Sequence, residues 1–276
     1  MPYRHAHFYV GVVLLVILAG FWPSYFSPIR AVPPAFHIHA ATAIAWLTLL
    51  IVQSVTIQRR SNALHRQLGR ASFALFPLLI LGLTMIIGVS AHRFAVREYP
   101  GVEILTPAFG IGMAIAIAAY LTLFYQALKH RRNVRLHAGY MLATPLILFE
   151  SPFSRIVGND LPWLNVIGSP GPRALLDTIA LSDAVSLSIA LVLYSRHPRH
   201  GTPWLVAAGF IAAQALAMWI SPFVPGLQGA FAAYARVPEA LTLVLAVIAG
   251  GLAGWLGWNA APGRRRPPTG AEPLPA

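Results

Sequence analysis

The chain contains no cysteine. That absence excludes disulfides, cysteine-ligated iron–sulfur clusters, a thiol nucleophile and thioether-attached haem, so any metal or redox chemistry must rest on histidine, carboxylate or methionine. Charge is scarce as well: only 10% of the 276 residues are charged, and only eight are acidic. Also missing are a GxxxxGK[ST] or GxGxxG phosphate loop, an HExxH zinc pair and a GxSxG elbow. Motif-based arguments for nucleotide binding, zinc proteolysis or serine hydrolysis therefore fall away. No reaction is named by what remains, and the catalytic residues are unknown.

What is abundant is apolar sequence. Hydrophobic residues make up 57% of the chain, and mean hydropathy is +0.65. A spanning helix needs about 20 mainly apolar residues to cross a hydrocarbon core of about 30 Å. Eight windows meet that need, at 8–27, 36–58, 71–91, 105–128, 137–157, 174–194, 203–221 and 238–258. None shows the alternation of barrel strands, so the expected fold is all-α, a polytopic transmembrane helical bundle of about eight spans. Residues 1–258 form one domain in this reading. The Pro-, Gly- and Arg-rich tail at 259–276 is too polar to build a core and is expected to be disordered.

Basic residues orient the bundle. Arg4, the loops "RRSNALHRQLGR", "KHRRNVRLH" and "SRHPRHGTP", and the "GRRR" tail hold 14 of the 20 Lys and Arg residues. The positive-inside rule then predicts that both termini are cytoplasmic. The formal net charge of +12 is mostly this topology, so the partner expected is a lipid bilayer and not nucleic acid, some loop arginines suiting anionic headgroups. The first apolar run is of full span length and ends in "FWPSYFSP". It is expected to stay as an anchor. Gly250 and Gly254 at GxxxG spacing, and the Gly and Ala of "FGIGMAIAIAAY", allow close helix contact, within the chain or in an oligomer formed through Gly-rich faces.

Polar positions inside the spans carry the functional question, because an ionisable group there is costly and faces the bundle interior. His39, Trp46 and Gln53 recur every seven residues with Thr42 beside them, and His137, Thr144 and Ser151 repeat that spacing, continued by Arg155. Each set shares a helix face. By depth, His37, His39, His92, Glu150, Arg155, Arg173 and Asp177 lie on the outer side with Asp183 beneath them, while His65, His130 and His137 lie on the cytoplasmic side.

Alternatives stand at each group. His37 and His39 are either hydrated headgroup-zone residues, ligands to haem b, copper or zinc with His92 across an outer pocket, or proton- or substrate-exchanging groups. His65 and His137 are interfacial, or they pair, which gives one histidine pair on each side of the membrane and a path for electrons through two haems. A second histidine four turns along each helix is missing: the position after His39 is Gln53, and after His137 it is Glu150 or Ser151. Glu150 with Arg155 and Asp177 with Arg173 can be local ion pairs. Asp183, about 13 Å inside its span, is the strongest proton or substrate candidate, joined by Glu150, Arg155 and Asp177.

"LHRQLGR" resembles the HRxxGR turn of ferric-reductase-like transmembrane domains. With "HxxxxxxWxxLLxxQ" before it and "RLHAGYMLATP" after it, the stretch from residue 36 to 157 is similar to a broad group of uncharacterised bacterial multi-span membrane proteins. The resemblance implies a bacterial inner-membrane bundle. The paired in-helix haem histidines of the reductases are absent. Three functions follow: a haem b- or quinone-linked redox protein, a proton-coupled small-molecule transporter, or a non-catalytic assembly or accessory subunit.

Overall fold

The computed structural model describes residues 3–262; most of the tail at 259–276 lies outside them. Among the described residues there is no strand. Ten α-helices follow one another: α1 Ala6–Phe21, α2 Pro34–Gln58, α3 Asn62–Val96, α4 Val102–Lys129, α5 Val134–Ile147, α6 Glu150–Asn159, α7 Arg173–Arg196, α8 Thr202–Ile220, α9 Pro225–Tyr234 and α10 Glu239–Asn259. Seven stretches are long and apolar enough to cross a membrane: α1 with its π-helical extension to Phe26, α2, α3, α4, α7, α8 with its last turn to Phe223, and α10. The chain is a multi-pass helical membrane protein.

The segment 137–157, read above as one continuous span, is instead two helices meeting at Leu148–Phe149. Prolines explain the break. Pro145 removes the N–H that would bond the Met141 carbonyl, and Pro152 does the same for Leu148. Both losses are repaired locally. The Thr144 hydroxyl donates to Met141 O at 2.8 Å, and the Ser151 amide donates to Leu148 O at 3.3 Å.

Small residues set the closest approaches. A Cβ built on Gly250 would stand 2.7 Å from Pro77 Cα, and one on Gly257 would stand 2.6 Å from the Tyr125 carbonyl oxygen. Gly254 lies against Phe73 and Phe124. The GxxxG face of α10 is thus occupied by α3 and α4 of the same chain. Its other face leaves Val244, Leu245, Leu252 and Trp255 exposed, as a lipid-facing surface requires.

The basic loops gather at one end of the bundle. The rings of Tyr3 and Trp204 meet edge to face at 6.0 Å, the Arg131 guanidinium sits 4.0 Å over the Trp258 ring, and Arg135 Nη1 is 3.5 Å from His200 Nδ1. We call this the basic end and the other the far end.

Candidate functional site

The two seven-residue stripes face each other between α2 and α5–α6. They meet at their middle members, where Trp46 Nε1 donates to the Thr144 hydroxyl at 3.0 Å. Trp46 is 1% exposed and Thr144 fully buried. On either side of this contact the helices part, and a cavity opens towards each end. The far-end cavity holds about 480 Å³ and is lined by His39, Tyr25, Trp46, Ser151 and Arg155 among mostly apolar neighbours. The basic-end cavity holds about 540 Å³ and is lined by Gln53, His65, His137 and Phe124, with Arg66, Arg70 and Arg131. Both fall within the size range of small-molecule and cofactor sites.

An aromatic wall separates the two cavities. Trp46 packs against Phe76 at 5.4 Å and Phe124 at 5.7 Å, and Phe76 stacks on Phe124 at 4.0 Å. Trp46 faces the far-end cavity and Phe124 the basic-end one.

At the basic end, His137 Nδ1 donates to the Ala127 carbonyl at 2.8 Å. A carbonyl only accepts, so the proton is on Nδ1 and Nε2 keeps its lone pair, the tautomer a metal ligand needs. His65 lies within electrostatic range of His137, and its Nδ1 is buried without a partner. The Gln53 amide donates to the His65 carbonyl at 3.1 Å, which fixes the turn carrying it. A Cβ on Gly69 would meet only Gln53 Nε2, at 3.5 Å. Near the rim, burial and then the charge of Arg132 draw the Arg131 guanidinium below its usual range. Burial holds the Tyr3 hydroxyl above its own.

At the far end the predicted groups divide. His39 lines the cavity with its Nδ1 buried and unpartnered. His37 pairs with the Tyr25 hydroxyl at 3.0 Å. His92 is exposed and does not line the cavity; Arg93, one residue and about 100° further round α3, does. The approach of His39 and His92 across one pocket is therefore not formed. Gly82 explains the phase, because it brings α3 against the His39 backbone and Thr42 and turns the next positions on that face inwards.

The two proposed acidic ion pairs are not formed either. Arg155 Nη1 donates to the Ser151 carbonyl at 2.6 Å and hydroxyl at 3.1 Å, and its guanidinium lies 4.5 Å over the Phe21 ring. Asp177 accepts from the Ser169 amide at 2.7 Å, the Ser169 hydroxyl at 2.9 Å and Trp219 Nε1 at 3.2 Å, while Arg173 stacks over Phe223 at 4.4 Å. Neutral acceptors and a ring face satisfy Arg155, neutral donors satisfy Asp177, and ring faces take Arg173. Among the described residues the ion pair within 4 Å is Arg93 with Glu98, at 3.3 Å.

Glu150 is 5% exposed and Asp183 1% exposed, on α6 and α7. Glu150 Oε1 accepts from Gln214 Nε2 of α8 at 3.2 Å. Sequence reading passed over Gln214, whose only signal was a lone amide at mid-depth in an apolar span. The arginines and Trp258 around the basic-end cavity were also missed as a set, because Arg66 and Arg70 are in the first turns of α3, Arg131 is in the turn after α4 and Trp258 is at the end of α10. Among the described residues no cluster of three or more His, Asp and Glu side chains could hold a bare metal ion. Compared with known protein families, curated proteins and solved structures, the chain has no match.

Proposed function

We propose that the chain is a redox membrane protein holding haem b at its basic end, with His65 and His137 as the iron ligands. The observation that carries this reading is the pair of histidines on one apolar cavity, His137 fixed as its Nδ1–H tautomer by Ala127. The chemistry of the lining fits the group: an apolar interior suits the macrocycle, and Arg66, Arg70 and Arg131 suit its carboxylates. When bound, haem would supply a one-electron couple. The protein's own part is to fix the ligand tautomer, hold the anionic edge at the basic end and keep water out through Leu49, Leu50 and Phe73. Trp46 and Phe124 then stand between this site and a quinone or other small molecule in the far-end cavity.

Protein purified from cells supplied with haem precursor should show a Soret band. His65→Ala and His137→Ala should each remove or alter it, and His92→Ala should leave it unchanged. A purified chain that neither carries this band nor acquires it on titration with hemin would overturn the reading. A transporter is the second reading, favoured by the broken helix α5–α6 over the far-end cavity, a site at which discontinuous membrane helices bind solutes. It predicts no Soret band.

A further inference from the structure

The far half of the bundle contains a buried set of oxygens that is short of hydrogen. Neither Asp183 Oδ1 nor Oδ2 has a hydrogen-bond partner, and Gln214 Oε1 has none. One N–H of the Gln214 amide goes to Glu150, and Asp183 receives neither of the two. A neutral carboxylic acid carries an O–H that these acceptors lack, whereas an ionised Asp183 would be a buried charge with no donor. Charge counting agrees. Glu150 lies within electrostatic range of both Asp183 and Arg155, so the one guanidinium near the pair leaves a negative charge unmatched if both carboxyls are ionised. A proton supplies the charge and the donor together.

The surroundings offer no other source. On α6 the ionisable groups are Glu150 and Arg155, and α8 has none. On α7 itself, Asp177 is taken by Ser169 and Trp219, and Arg173 lies over Phe223. Those of α5, Arg135, His137 and Tyr140, are in its basic-end half. On α4, Glu103 is exposed in the first turn, Tyr120 lines the far-end cavity, and Tyr125 and Lys129 close the basic end.

We infer that Asp183 and Glu150 form a proton-carrying site, in which one exchangeable proton is held on the carboxyl pair and reaches solvent through the far-end cavity lined by Ser151 and Arg155. Arg155 lines that cavity and acts on Glu150 through its charge, which links the carboxyl pair to the opening. This inference does not rest on haem binding; it stands whether the proton accompanies electron or solute movement.

The test is infrared spectroscopy of the full chain in lipid. At neutral pH the wild type should show a protonated-carboxyl C=O stretch that shifts in heavy water, as only an exchangeable proton allows. Asp183→Asn should abolish the band with little change in thermal stability. Glu150→Gln should move the pH at which the band is lost, and Asp177→Asn should not. A wild type without the band, a band that survives Asp183→Asn, or one that fails to exchange in heavy water would overturn the proposal. So would stabilisation by sodium over potassium with no protonated carboxyl, which would make this a metal-cation site.

Discussion

Thr144 occupies the one position where the two polar stripes touch, and its hydroxyl has two tasks. It donates to the Met141 carbonyl left free by Pro145 and accepts from the Trp46 indole. Valine has nearly the same shape and can do neither. Thr144→Val should therefore cost about 1–3 kcal/mol, since it leaves a buried N–H and a buried carbonyl unpaired, and should lower the thermal midpoint in detergent. Thr144→Ser keeps both bonds and should melt near the wild type. Equal midpoints for Val and wild type would show that the contact contributes nothing. At this scale the seven-residue spacing in sequence revealed which residues share a face, because helical phase is a local property. It did not reveal what each face meets. His92 and Arg93 differ by one step of the helix, and the packing of Gly82 against α2 decided between them.

Helices α3, α4 and α10 form the element that holds the cavities' walls in place, and the close approach of Gly250 to Pro77 is one of its tightest contacts. Gly250→Val puts side-chain atoms where backbone already stands and should destabilise by about 1–3 kcal/mol. Gly251, with nothing within 4 Å of a built Cβ, is the control: Gly251→Ala should be neutral or slightly stabilising by thermal melting in detergent. If both variants melt alike, α10 is not held through this face. The GxxxG spacing was legible in sequence. The break at Leu148–Phe149 was not, because hydropathy averages over 137–157 and every residue near the break except Glu150 and Ser151 is apolar. Pro145 and Pro152, seven residues apart, were the available signal, since two missing amides on one helix face cannot both be tolerated without a change of path.

Across the whole molecule, the basic loops at one end and the broken helix between α4 and α7 have to be consistent with one another. The Arg135–His200 and Tyr3–Trp204 contacts place the start of α5, the start of α8 and the N-terminal segment at the basic end. Arg173 begins α7 from the other end, since α7 closes on Arg196 just before the loop that bears His200. The chain from Val134 to Arg173 must then pass from the basic end to the far end, and α5 with α6 is the only helical route between them among the described residues. At about 1.5 Å per residue, 14 residues of α5 and 10 of α6 reach about 36 Å together, enough to cross even with a bend. We therefore expect Arg60 and Arg132 to report one side of the membrane, and Glu98 and Asn165 the other, in alkaline phosphatase and green fluorescent protein fusions. By the positive-inside rule the first pair should be cytoplasmic. Arg132 and Asn165 on the same side would mean that α5–α6 is re-entrant and that the far-end cavity opens to the basic side. Arg60 and Glu98 on the same side would break the bundle topology altogether, because α3 is 35 residues long and has no shorter way to fold back.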